Sequence, residues 1–250
     1  MNKKLLYSFG ALMAVMLSAS NTVFAEGNIG IQLDLGDGNG EVGASAISLL
    51  LLITVLSLAP AILVLMTSFT RIVIVLGFVR TSLGTQQMPP NQVLIGLALF
   101  MTLFIMAPTL SQVNEQALQP YLKGEISQTV ALEKAADPMK AFMYKHTRPK
   151  DLLLFMEYTQ AEKPATYKDI PITVLVPAYA ISELKTAFQM GFMIFVPFLI
   201  IDMVVASTLM AMGMMMLPPV MISLPFKILL FVLVDGWYLI VKSLLTSFSA

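Results

Sequence analysis

From Met190 to Leu217 the chain runs 28 residues with a single charge, Asp202, and it closes on Met210-Ala211-Met212-Gly213-Met214-Met215-Met216-Leu217 before Pro218-Pro219. As one helix this run would be about 42 Å long, more than the roughly 30 Å of hydrocarbon in a bilayer, and Pro197 is its expected kink. Gly213 and the two prolines stop a helix there. Met221 to Leu245 then forms another apolar stretch, interrupted by Pro225, Lys227, Asp235 and Gly236. The two stretches read as a hairpin with a Pro-Pro elbow. Methionine is unbranched and polarizable, so a cluster of it fills irregular gaps and re-packs around what touches it. Successive helical residues turn by about 100°, so Met212, Met214, Met215 and Met216 cannot share one stripe. Some of them must face a surface other than the nearest core. On residue types alone, ordinary lipid-facing or buried packing is a better reading than a gasket.

Composition places the whole chain in the same class. It is 57% hydrophobic and 12% charged, against roughly 25% charged for soluble domains. Mean hydropathy is +0.81, so this is an integral membrane protein. Fifteen basic residues balance fifteen acidic ones, which leaves no basic surplus for nucleic acid. Cysteine is absent and His146 is the only histidine, which removes thiol chemistry, disulfides and the usual zinc ligand sets. No glycine-rich phosphate loop follows a strand and no Ser-His-Asp set is available. We therefore expect no catalytic residue, no metal and no cofactor, and we expect His146 at the surface.

Lys3 and Lys4, an apolar stretch from Leu5 to Leu17 and Val23-Phe24-Ala25 make residues 1–25 a cleavable signal peptide. Residues 26–46 carry acids, glycines and no base, as suits a flexible exported segment. Residues 47–110 form a first hydrophobic helix pair. Its spans are Ile47 to Met66 and Val93 to Leu110, and Arg71 and Arg80 put the connection between them in the cytoplasm. Residues 111–188 carry nine basic and nine acidic residues and read as a small helical periplasmic domain. There Asp137-Pro138 and Arg148-Pro149 each place proline at a helix start, with Asp137 as a cap. Leu152, Phe155, Met156 and Thr159 give an apolar stripe. Residues 189–250 are the second hydrophobic hairpin. The expected fold is an all-α membrane protein of four long hydrophobic helices in hairpins, with the helical domain between the second and third.

A charge at the centre of a membrane helix costs about 2.5 to 3.5 kcal/mol, so Asp202, Lys227 and Asp235 should face protein or water. Hairpin folding could bring Asp202 and Lys227 within reach, whereas Asp235 lies about two turns further on and needs another partner. They can be pairing devices that set helix register. They can also be stations of an ion-coupled secondary transporter, although the paired repeats usual in transporters are not visible.

Upstream, Pro177-Ala178-Tyr179-Ala180-Ile181-Ser182-Glu183-Leu184-Lys185-Thr186-Ala187-Phe188-Gln189-Met190-Gly191-Phe192 puts Ile181, Leu184 and Phe188 on one helical face, with Glu183 and Lys185 pointing elsewhere. By spacing this is an interface helix entering the membrane. As a string it closely resembles the signature of the FliP family of the flagellar type III export apparatus. Met66-Thr67-Ser68-Phe69-Thr70-Arg71-Ile72, Phe198-Leu199-Ile200-Ile201-Asp202, the Met-Gly-Met-Met-Met-x-Pro-Pro run, Leu224-Pro225-Phe226-Lys227 and Val234-Asp235-Gly236-Trp237 resemble that family too. Injectisome homologues share the pattern, and the closeness of the flagellar motifs separates them.

The resemblance implies a non-enzymatic channel subunit in the bacterial inner membrane, within the flagellar basal body. Members assemble as a homopentamer with FliQ and FliR, alongside FlhA and with FlhB at the cytoplasmic entrance, and conduct unfolded flagellar export substrates. Much apolar surface then faces sister subunits, and the complex sits partly above the bilayer. The resemblance assigns the pore seal to Met210, Met212, Met214, Met215 and Met216. It places Arg71, Glu183, Asp202, Lys227 and Asp235 as intersubunit or intramembrane polar residues, and Ile181, Leu184, Phe188 and Gly191 on the interface helix.

Overall fold

Ile72, Val75, Leu76, Val79 and Leu83 recur at the spacing that puts them on one side of a helix, and the first four are wholly buried. Their helix, Phe69–Leu83, packs along the long helix Ile172–Ala211, which also meets the helices before and after it. The computed structural model describes residues 53–54, 57–85, 87–159, 164, 166–214 and 216–249. The expected signal peptide, the exported segment and the start of the 47–66 span lie outside them. Two units separate at Ser57, and the packed helices belong to the second, Leu58–Ala250.

We number the helices α1 Ser57–Met66, α2 Phe69–Leu83, α3 Asn91–Leu122, α4 Gln128–His146, α5 Pro149–Thr159, α6 Ile172–Ala211, α7 Pro219–Leu233 and α8 Gly236–Ser249. Among the described residues there is no strand. By length and composition α3 and α6 can each cross a membrane alone, and the bent pairs α1–α2 and α7–α8 make four spans if each crosses as one. Residues of α2, α3, α6, α7 and α8 share one core. A second, built on Met143, Met156, Ile170, Val174, Leu175 and Tyr179, joins α4 and α5 to the start of α6.

Several boundaries differ from those read in the sequence. α3 runs past Leu110 to Leu122 through a π-helical turn at Asn114–Leu118, with Pro108 inside it. Hydropathy marks where apolar surroundings end, whereas backbone hydrogen bonding carries the helix on through polar residues. Composition changes near residue 188, yet α6 passes through that point unbroken for 40 residues. Pro138 lies inside α4, not at its start, so Asp137 caps nothing there; its carboxylate instead lies 3.3 Å from Lys168 Nζ. An interior proline costs about 3 kcal/mol. Burial of Pro138 and Met143 on the same helix works against that cost. Pro149 does begin α5, and Met156 of its apolar stripe is buried with Leu152 and Phe155 beside it.

α1 and α2 meet at a 71° bend, where the Tyr179 hydroxyl donates to the Thr67 carbonyl at 2.9 Å. By charge, Arg71 and Arg80 read as one cytoplasmic connection, with the apolar block Ile72 to Phe78 able to extend the first helix. The structure separates those two residues along a helix, by about 13 Å of rise. Arg71 meets Glu183 and Ser247, whereas Gly84, just past the other end of α2, lies against Val220, Leu224 and Lys227. Each arginine finds protein partners on a helix that carries a clear apolar stripe. Arg80 binds the Asn91 amide oxygen.

Candidate functional site: the methionine elbow and two buried ion pairs

α6 stops at Ala211 for a local reason. Gly213 takes φ +76°, its amide donates to the Met210 carbonyl at 3.0 Å, and the Met214 amide donates to the Leu209 carbonyl at 3.0 Å. This is a Schellman stop, which needs the left-handed residue that glycine supplies at little cost. Pro218 then caps α7 and Pro219 is its first residue, where the missing N–H does no harm. Met210, Met212 and Met214 are well exposed, and Met216 is 98% exposed. Met215 lies outside the described residues. The elbow therefore presents soft, re-packable apolar side chains that its own chain covers only in part.

Nine residues before the end of α6, Asp202 accepts from Lys227 Nζ at 2.6 Å and from the Ser223 hydroxyl at 2.5 Å. Lys227 is nearly sealed while Asp202 is partly open. Hairpin folding does bring this pair together, as its depth in the two stretches implied. Ser223 carries no signal in the sequence that singles it out, although it lies one turn before Lys227 and so shares its face. Asp235 does not join them. It sits exposed in the break between α7 and α8 with φ 51°, a left-handed conformation that Asp tolerates, and among the described residues it has no ion-pair partner. The three charges of a transporter site are thus not assembled within this chain.

Nineteen residues before Asp202, about 28 Å along α6, Glu183 makes the second pair. Arg71 Nε donates to one carboxylate oxygen at 2.9 Å and Nη2 to the other. Both side chains are buried. Glu183 is thus engaged inside its own chain, and Gly191 is too: a Cβ there would come within 2.4 Å of the Phe78 ring, so Gly191 lets α2 approach α6. Ile181, Leu184 and Phe188 form a partly exposed face of α6, and Phe188 also packs edge-to-face on Phe78 of α2 at 5.4 Å between ring centres. Helical spacing separates Glu183 from that face correctly, but it cannot identify Arg71 as its partner.

At the same end of α6, Ser182 donates to Asp151 at 2.6 Å, and Arg148 Nε donates to the same oxygen at 2.8 Å. Burial of Asp151 opposes its charge, but the Ser182 and Arg148 hydrogen bonds, with the charges of Arg148 and Lys185, outweigh it and hold the carboxyl below its ordinary value. His146 is half-buried, not a surface residue. Its Nδ1 lies 2.8 Å from the Phe142 carbonyl, and burial, ahead of the charges of Arg71 and Lys145, holds the ring below its ordinary value despite two nearby carbonyls. Among the described residues no group of three His, Cys, Asp or Glu is placed to hold a metal ion.

The FliP family model matches residues 52–244 of this chain. The flagellar biosynthetic protein FliP of Bacillus subtilis strain 168 is 73% identical over 205 residues, covering 82% of this chain and 93% of that protein. Its counterpart in Pectobacterium carotovorum subsp. carotovorum is 52% identical over 209 residues, 84% of this chain and 81% of its own. The flagellar biosynthetic protein FliP of Aquifex aeolicus strain VF5 is 49% identical over 220 residues, 87% of this chain and 91% of its own.

Proposed function

The chain belongs to the FliP family, and from that premise we propose that it is a core, non-enzymatic subunit of the flagellar type III export gate. It forms an oligomeric channel for unfolded flagellar substrates, with the methionine elbow as a deformable seal. The observation that carries this reading is how much of α6 its own chain leaves uncovered. Glu183 and Asp202 tie the helix into its own chain, yet Ile181, Leu184, Phe188, Phe192, Met193 and Ile200 along it stay exposed. At 40 residues the helix is about 60 Å long, roughly twice the hydrocarbon of a bilayer. Lipid alone cannot cover such a face, so sister subunits do.

By the same resemblance the assembly is a homopentamer with FliQ and FliR, served by FlhA and FlhB, in the inner membrane of the basal body with the central helices on the periplasmic side. Met210, Met212, Met214, Met215 and Met216 converge from several copies and close around the passing chain, because thioether side chains re-pack without a fixed partner. The relatives' names lend nothing to ion-coupled transport.

The mass of the detergent-solubilised complex tests the oligomer, and a stable monomer would sink it. The seal is tested by Met214→Ala with Met216→Ala. Cells should leak small ions while secretion persists, and an unchanged membrane barrier would count against a gasket.

A further inference from the structure

The turn Ser247–Phe248, at the end of α8, is gripped by two other helices, and one of the gripping groups can change its charge. Arg71 of α2 donates from Nη1 to the Ser247 carbonyl at 3.1 Å and to its hydroxyl at 2.9 Å. The guanidinium carbon lies 3.8 Å from the centre of the Phe248 ring, a cation–π contact. From α4, Phe142 stacks on the same ring at 6.3 Å between centres, and the His146 ring lies 5.2 Å from it. His146 Nε2 is 3.4 Å from the Phe248 carbonyl oxygen.

A neutral imidazole has one N–H to give. The shorter contact takes it, so Nδ1 donates to Phe142 and Nε2 turns a lone pair toward the Phe248 carbonyl. A second proton would supply the missing donor but would set a second cation on a ring that Arg71 already covers. The charges around His146 do not welcome it. Arg71 from α2 and Lys145 from its own helix are positive. From α6, Glu183 has both oxygens engaged by Arg71, and Tyr179, packed on Phe142, adds a neutral phenol. From α8 the turn itself brings only a hydroxyl, carbonyls and a ring.

We propose that His146 is an acid-operated release for the Ser247–Phe248 turn: protonation of its ring drives the end of α8 off Arg71. The sign comes from linkage. Docking sets the Phe248 ring against His146 as part of the burial that holds its pKa low against the pull of the Phe142 and Phe248 carbonyls, whereas undocking removes that cover and returns it toward about 6.5, so the undocked form binds the extra proton. The turn is therefore fully docked above about pH 6.5 and loosens as pH falls through the docked-state value.

Two measurements on the untagged, full-length chain in its native assembly test this. His146 is the only histidine, so its ring gives one NMR titration. Its midpoint should fall below about 6.5 and rise toward that value in Phe248→Ala; a midpoint above it, or one that Phe248→Ala leaves unmoved, overturns the proposal. In hydrogen exchange, opening of the last turn of α8 should increase by as much as about tenfold per pH unit between the two titration points, relative to α2 amides. His146→Gln should flatten that profile. A profile that persists in His146→Gln and vanishes in Glu183→Gln would assign it to the ion pair and overturn the proposal.

Discussion

Arg71 and Glu183 stand 112 positions apart in sequence and meet through two hydrogen bonds in a site from which both side chains are excluded from solvent. Removing one partner of such a pair leaves a buried charge alone, which costs about 3–5 kcal/mol, whereas replacing both by apolar groups can be neutral. Arg71→Met and Glu183→Met should therefore each lower the thermal unfolding midpoint sharply, while the double variant recovers most of the loss. A loss in the double variant equal to the sum of the two single losses would mean that the two residues act separately.

The second pair is asymmetric, and the asymmetry is testable. Lys227 is nearly sealed, while Asp202 is partly open and retains the Ser223 hydroxyl as donor. Asp202→Ala strands a buried ammonium, whereas Lys227→Met leaves a carboxylate that still has a hydrogen bond and some solvent. The first should destabilise more, by about 1–3 kcal/mol beyond the second, read as detergent melting and recovery of the assembled complex. The reverse order would point to another cation that meets Asp202 in the assembly.

Two glycines in apolar helices should respond oppositely to alanine. A Cβ at Gly191 would collide with Phe78, so Gly191→Ala should cost about 1–3 kcal/mol by forcing α2 and α6 apart. Gly96 on α3 has nothing within 4 Å of such an atom, and Gly96→Ala should gain up to about 1 kcal/mol from helix propensity. Melting of the two variants decides it; a loss at Gly96 would reveal a close neighbour from another subunit.

Asp151 titrates below its ordinary value in the folded chain, so the unfolded state holds the extra proton as pH falls. Its contribution is fully present above the unfolded value of about 3.9 and is lost as pH drops through the folded one. Exchange of α5 amides as pH falls below about 5 should show loosening from α6, and Ser182→Ala should make that pH-dependent loss smaller. A loss of unchanged size in Ser182→Ala would remove that hydroxyl from the account.

Legibility tracked the range of each interaction. The Gly213 stop, the Pro218-Pro219 elbow and the proline start of α5 were readable, because each depends on backbone preferences within a few residues. The Asp202–Lys227 pair was readable too, since the elbow between them folds one stretch back on the other. Asp137-Pro138 misled, because a local capping pattern yielded to the packing of Pro138 and Met143. Arg71 was legible only in part: taken alone it is a positive charge beside a span, and Glu183, Ser247 and Phe248 make it an interior residue.

The amino-acid sequence by itself determined that this chain is helical and belongs in a membrane, where its long apolar runs turn, and that the methionines gather at one of those turns. Those properties come from hydropathy and local conformational preference, which each stretch carries wherever it is placed. Only the tertiary structure decided that α2 packs along α6, that Glu183 and Gly191 face inward, and that Asp235 stands apart from the Asp202–Lys227 pair. Whether a charge or a glycine is buried depends on what arrives from more than a hundred residues away, and no local pattern holds that information.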